Sequence, residues 1–420
     1  MTGRAFREGV TIALQALRQS KIRTGLTILG VAIGVVVVVV MAAVIQGVNS
    51  SFDEAIEAAG PNIFYITRTS GIELNTGLEE EEPSFFRVPL FSSSYVRELR
   101  RLGAVENAYP FSDLSFMGMN IHAGSNDIRG NVIAVTPEFM EIDAGDIVEG
   151  RFFTRPEEEA GRPVAVIDSS AARDLFAPAG AVGKTLRIGD QAFKVVGVYK
   201  EPANLFAQLG GHRVFVPFRA GEKHLMKNAR FITFEHLMGF VVKAKSAAGL
   251  INAVDQVTAR MRSLRGLGPA DENNFEVLTR DSINDQWNQL TAALFAVMFA
   301  LSSAGLMVGG IGVIAVMIVS VTERTREIGI RKSLGATRRD ILWQFLVEAT
   351  TLTTVGGAFG LAAGGLISWA VSSLTPVPAV IPIWSIFVAL TAAAFTGIVF
   401  GLFPAVRASR LDPVTALRYE

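Results

Sequence analysis

Four long apolar runs set the pattern of this chain, and a segment of mixed periodicity separates the first from the other three. Thr24 to Gln46 carries no charged residue and is long enough to cross a hydrocarbon core of about 30 Å. Leu290 to Val321 and Ile383 to Phe403 have the same character, and so does Ile341 to Val371 apart from Glu348. The second and third runs exceed the ~20 residues a crossing needs, so they are predicted to project past the bilayer. Counted from Trp287, the second helix would be roughly 50 Å long. Ser50 to Ala59 can extend the first helix, with Phe52 and Ile56 on one stripe, until Gly60-Pro61 stops it. A cleaved signal peptide competes for the first run, because Ala42 and Ala43 follow. Its apolar core is longer than a usual signal core, which favours an uncleaved span.

Between the first and second runs, Pro61 to Asp281 reads as an α+β region. Strands are predicted at Asn62 to Thr67, Ala104 to Tyr109, His236 to Lys243 and Phe275 to Thr279, with helices at Ser92 to Arg101 and Ser246 to Leu264. These form two strand–helix–strand units that flank a β-rich insertion. The insertion holds Asn131 to Val135, Val164 to Ile167, and a hairpin from Lys184 to Val198 turning at Gly189-Asp190. Glu79 to Glu82 is a solvated acidic loop. Ahead of the first run, Arg4 to Ser20 reads as an amphipathic helix with Phe6, Val10, Ala13, Leu14 and Leu17 on one face. It would lie along the inner membrane surface, or serve as an ordinary basic flank.

Charge fixes the expected topology. Of 39 basic residues, 14 lie at the N-terminus, in the stretch 322–340 and at the C-terminus, while 48–289 holds 25 basic against 32 acidic residues. Basic flanks belong on the cytoplasmic side, so both ends and 322–340 are expected inside and 48–289 outside. Leu374 to Pro382 is then a short external turn. With no cysteine in the chain, disulfide, thiolate-zinc and cysteine-nucleophile schemes are excluded. The four histidines are scattered without zinc-like spacing. Gly183-Lys184-Thr185 lacks the earlier glycine of a phosphate loop, since Pro178 stands there, and it leads into a strand rather than a helix. No nucleic-acid footprint is visible.

The stretch Thr322 to Asp340 is the most distinctive part. Its helical reading puts Glu323/Glu327 and Glu327/Arg331 at i,i+4 spacing, Gly335 ends the helix, and Thr337 with Asp340 opens the next as a capping box. Such structure exceeds what a topology anchor needs and suggests a docking helix for a cytoplasmic partner. Glu348 lies about 12 Å beyond Asp340 along the third span, and either snorkels or pairs with a base of that stretch. Asp412 and Pro413 open a short C-terminal helix. Each span carries glycines at i,i+4: Gly30/Gly34, Gly305/Gly309, Gly356/Gly360/Gly364 and Gly397/Gly401. This spacing lets helix backbones approach closely, within the subunit or against a second copy.

Residues 12–35 (IALQALRQSKIRTGLTILGVAIGV), 320–349 (SVTERTREIGIRKSLGATRRDILWQFLVEA) and 401–420 (GLFPAVRASRLDPVTALRYE) together resemble the permeases of the MacB/LolC/FtsX group of ABC transporters. Gly150-Arg-Phe-Phe153, Pro163 to Asp168 and Val182 to Ile188 also match that group. The resemblance implies a membrane α-helical protein with four transmembrane helices and a large extracytoplasmic α+β domain between helices 1 and 2, in a bacterial inner membrane. The expected segments are 1–23 at the cytoplasmic face, span 24–47, outer domain 48–289, span 290–321, coupling helix 322–340, spans 341–372 and 383–403, and a cytoplasmic end at 404–420. Within the outer domain a porter-like part would comprise 61–115 and 230–285, and the β-rich insertion 116–229.

MacB carries an ATPase domain ahead of its first span, whereas some twenty residues precede it here and the sequence holds no Walker A motif. The resemblance therefore implies a separate ABC ATPase subunit that binds ATP and magnesium, with no catalytic residue, metal or cofactor on this chain. It further implies a second permease copy, as homodimer or heterodimer, and a periplasmic adaptor. The positions it marks for ATPase coupling are Glu323, Arg324, Arg326, Glu327, Gly329, Arg331, Lys332, Gly335 and Ala336. MacB-like export is the expected role, ahead of LolC-like lipoprotein release and FtsX-like control of wall hydrolases. A ligand-sensing receptor is the reading from another class, and no kinase-like or coiled-coil segment supports it.

Overall fold

The computed structural model describes residues 21–58, 60–68, 88–115, 118–143, 145–201, 210–225 and 233–417. The expected surface helix at Arg4 to Ser20 and the acidic loop Glu79 to Glu82 lie outside the described residues. Two compact units divide the chain, one formed by 51–287 and the other by the segments on either side.

Among the described residues four helices are long and apolar enough to cross a membrane, and the helical unit holds the greater part of each: α1 (Lys21–Ala58), α7 (Arg280–Glu323), α9 (Arg338–Leu374) and α10 (Ile383–Ser409). Glycine sets how closely they pack. A Cβ on Gly30 would stand 2.9 Å from the Cα of Gly309, and one on Gly305 2.9 Å from the Cα of Gly34. Gly356 and Gly360 face the carbonyls of Ile28 and Ala32, and Gly364 faces Val39, so α9 lies on α1. Gly397 and Gly401 face Ala349, so α10 lies on α9. All nine glycines therefore meet neighbours in the same chain. Close approach brings polar groups into reach as well: Ser302 Oγ donates to the Gly34 carbonyl at 3.2 Å.

Three helix limits differ from the sequence reading. The second long helix starts at Arg280, ahead of Trp287. The helix read in 322–340 ends before Gly335 and a new one opens at Thr337 as read, but the start of the first differs, because α7 ends at Glu323 and α8 (Thr325–Ser333) starts after a break at Arg324. The fourth runs through Pro404 to Ser409 instead of stopping at Phe403. Proline removes one helical hydrogen bond. Here Ala405 and Ala408 beyond it are fully buried among Val313, Met317, Ile341 and Phe345, and that packing carries the helix on.

In the other unit, β1 (Ile63–Thr67), α2 (Tyr95–Leu99), β2 (Val105–Asp113), β10 (Met238–Ala244), α6 (Leu250–Leu264) and β11 (Glu276–Leu278) form two interlocked units. The order β11-β1-β10-β2 is antiparallel throughout, so β10 sits between the parallel pair β1 and β2, and β1 between β10 and β11. Strand alternation sorts the side chains. Phe64, Ile66, Phe240 and Val242 face the core beneath Val96, Leu99, Val257 and Met261, while Ile63, Tyr109 and Val241 face the other way. The helix predicted from Ser92 shortens to one turn and a half, and His236 falls in a 3-10 turn ahead of β10.

The insertion holds β3 (Met119–Ala123), β4 (Asn126–Val135), β5 (Asp146–Gly150), α3 (Arg155–Glu159), β6 (Val164–Asp168), α4 (Ser169–Phe176), β7 (Thr185–Ile188), β8 (Gln191–Lys200), β9 (His212–Pro217) and α5 (Phe218–His224). Pairings β4–β9, β9–β6, β6–β8, β8–β7, β7–β3 and β3–β4 close a ring, and β5 adds to β8. The insertion is thus a small closed barrel with helices, richer than the two strands and one hairpin read from sequence. It is also continuous with the first sheet through Ser112–Ala134 and Asp113–Ile133. The two ends of this unit are tied together: Phe52 stacks on Trp287 at 4.3 Å between ring centroids, and Arg280 lies 3.7 Å from Glu57.

Candidate functional site

The candidate site is built from α8, the turn to α9 and the C-terminal helix α11 (Pro413–Leu417). Arg324 leaves the helical region at φ −105°, ψ +19°. Thr325 stabilises the break, since its hydroxyl donates to the carbonyls of Val321 and Thr322, each at 2.9 Å. Freed from the helix axis, Arg324 points inward, with its Nη1 3.6 Å from Oε1 of the buried Glu348. Glu348 therefore pairs rather than snorkels.

The far end of α8 closes by a Schellman motif. Gly335, at φ +102°, donates to the Lys332 carbonyl at 3.1 Å, and Ala336 to the Arg331 carbonyl at 3.0 Å. Thr337 and Asp340 then cap α9 reciprocally, with Thr337 N donating to Asp340 Oδ2 at 3.0 Å and Asp340 N to Thr337 Oγ1 at 3.3 Å.

Three contacts brace α8 from the side. A Cβ on Gly329 would lie 2.9 Å from that of Ala416, so glycine is what lets α11 approach. Lys332 Nζ donates to the Ser409 carbonyl at 3.1 Å and to the Leu411 carbonyl, satisfying acceptors at the end of α10. Arg331 bridges Glu327 Oε1 at 2.5 Å and Gln344 Oε1 at 2.6 Å. Asp412 caps α11 through Thr415, and those two donors hold its carboxyl below the usual range.

Of the marked residues, Gly329, Arg331, Lys332, Gly335 and Ala336 thus make the scaffold, and Glu327 joins it through Arg331. Arg324 serves the interior, while Glu323 and Arg326 are exposed. Attention to charge missed two residues. Ile330 is 46% exposed and Leu334 83% exposed, in line with Arg326 at four-residue spacing. That spacing was the available signal. Exposed apolar groups on a braced helix, ringed by charge, form a surface suited to a protein partner. Among the described residues, no cluster of three or more histidines and carboxylates could hold a metal.

The sequence matches the MacB-like periplasmic core domain family over residues 24–260 and the FtsX-like permease C-terminal family over residues 298–413. The ABC transporter permease YknZ of Bacillus subtilis is 30% identical to it, with 98% of this chain and 99% of that one aligned. The chain belongs to the MacB/FtsX-type family of ABC transporter permeases. Other relatives are longer polypeptides. The macrolide export ATP-binding/permease proteins MacB of Bdellovibrio bacteriovorus and Shewanella oneidensis are each 30% identical, over 97% and 99% of this chain. This chain spans 61% of the length of each. The crystal structure of the periplasmic region of MacB from Actinobacillus actinomycetemcomitans aligns with 56% of this chain and 96% of that one, at 17% identity and a TM-score of 0.44.

Proposed function

We propose that this chain is the permease subunit of an inner-membrane transporter that turns ATP hydrolysis on a separate ATPase subunit into motion of its extracytoplasmic domain. Its termini and α8 are cytoplasmic, and 48–289 is extracytoplasmic. Two copies assemble, each docking one ATPase on α8, and the role is MacB-like export with a periplasmic adaptor. ATP and magnesium bind the partner, and this chain is not itself an enzyme.

The observation that carries this reading is the contrast within α8. Gly329, Arg331 and Lys332 hold the helix to its neighbours, while Arg326, Ile330 and Leu334 stay open. A helix fixed on one side and apolar on the other can pass on force applied by a partner. The basic flanks around α8 support a cytoplasmic location. α1 and α7 each continue from the helical unit into the other unit, which gives the force a covalent route. The spans carry few ionisable groups, which fits cargo handled outside the bilayer rather than along a polar channel.

The test is purification of the full chain from its own cells in mild detergent, beside the Ile330→Glu/Leu334→Glu variant. An ABC ATPase should co-purify at one-to-one stoichiometry with the parent chain and be lost from the variant, which still inserts and elutes normally. Recovery of the same ATPase with the variant, or of none with the parent, would overturn the reading.

A further inference from the structure

The base of α10 carries a groove that the coupling reading does not use. Val399, Phe403, Val406, Arg407 and Arg410 fall on one helix face by their spacing of three and four, and they line a cavity of about 870 Å³. The upper part of this strip is apolar and its lower end basic. From Val399 to Arg410 it is roughly 16 Å long, close to the reach of a lipid acyl chain. Arg407 stands roughly 36 Å from Ile383 along the helix, so with Ile383 at the outer edge of a hydrocarbon core about 30 Å thick its guanidinium would emerge where headgroups begin.

Arg407 and Arg410 are exposed, and neither forms an ion pair among the described residues. Of the other basic residues near α8, Arg324 faces Glu348, Arg331 holds Glu327 and Lys332 holds two carbonyls, while Arg326, Arg338 and Arg339 are exposed but do not line this groove. Asp412 also borders the groove, but its Oδ2 accepts from Thr415 N at 3.2 Å and Thr415 Oγ1 at 2.7 Å. Asp412 stays ionised in that cap, because both donors favour its carboxylate, so the groove's mouth holds two guanidiniums against one carboxylate and keeps a net positive charge for an anion.

We propose that this groove binds an anionic phospholipid of the cytoplasmic leaflet, with an acyl chain along Val399, Phe403 and Val406 and the headgroup phosphate between Arg407 and Arg410. An amphipathic strip ending in two free guanidiniums matches such a lipid in both its parts. Arginine also suits phosphate better than lysine, because its planar fork donates two parallel hydrogen bonds.

The experiment uses the full chain in detergent and native mass spectrometry, with phosphatidylglycerol and phosphatidylcholine of the same acyl composition added in turn. The parent chain should retain phosphatidylglycerol in roughly tenfold preference. Arg407→Gln/Arg410→Gln should lose that preference while holding phosphatidylcholine as before, and Arg407→Lys/Arg410→Lys should keep part of it. Arg338→Gln/Arg339→Gln, at another basic flank, should keep it fully. Equal preference in the parent and the Arg407→Gln/Arg410→Gln variant, as expected if the face is reserved for a protein partner, would overturn the proposal. So would equal loss in the Arg338→Gln/Arg339→Gln chain, which would mark a general effect of basic flanks. Displacement of phosphatidylglycerol by inorganic phosphate in excess would also overturn it, pointing to a site for the free ion.

Discussion

Arg324, at the break between α7 and α8, reaches into the helical unit and lies 3.6 Å from Glu348 on α9. Glu348 is 5% exposed, and its second oxygen has no hydrogen-bond partner among the described residues. The pair links the angle of the break to the third span, and it leaves a carboxylate that depends on one guanidinium.

Removing that guanidinium strands a buried charge. Arg324→Leu should lower the stability of the detergent-solubilised chain by about 3 kcal/mol, and Arg324→Leu/Glu348→Leu should cost much less than Arg324→Leu and Glu348→Leu added together. Thermal unfolding of the four chains measures the coupling. Additive single and double effects would mean that the two side chains do not depend on each other.

The glycine contacts give a sharper contrast. A Cβ on Gly309 would meet Val31 N at 2.7 Å, whereas one on Gly25 would meet nothing within 4 Å. Gly309→Ala should destabilise by about 1–3 kcal/mol, because backbone rather than a flexible side chain must yield. Gly25→Ala should leave the melting temperature the same or slightly higher. If both alanine variants melt alike, α1 and α7 do not pack on these glycines.

At the candidate site, Gly329→Leu should push α11 away from α8, since even a methyl there approaches Ala416 Cβ to 2.9 Å. Exposed Arg410 then becomes a better trypsin site, and cleavage after it should speed up roughly tenfold relative to the parent chain. Unchanged cleavage would show that α11 does not rest on Gly329.

In the extracytoplasmic unit, burial is the main influence on Glu201 and lifts its carboxyl to about 7, against an opposing pull from Arg213. The unfolded chain loses this proton near 4.5, so between 4.5 and about 7 the folded state binds more protons than the unfolded one. Stability from this group therefore falls as pH rises through that window. The side chain is only 11% exposed, so little screening reduces the effect, and the loss is about 3 kcal/mol at most. Glu201→Gln should flatten the dependence, which melting curves of the full chain at several pH values would reveal. An identical slope in the glutamine chain would move the titration to another residue.

Features that neighbouring residues settle among themselves were legible along the chain. The apolar runs announce the long helices because a bilayer demands an unbroken stretch. Gly60, Gly335, Thr337 with Asp340, and Asp412 with Pro413 announce helix ends because the capping partners lie within a few residues. The folded chain alone revealed which glycines meet, that six strands of the insertion close into a ring, that Glu348 finds Arg324, and that the fourth helix passes Pro404. It also separated the bracing residues of α8 from Ile330 and Leu334, which it left open. Each of these depends on contacts between residues far apart in the chain, where packing outweighs local preference and spacing alone carries no record of the partner.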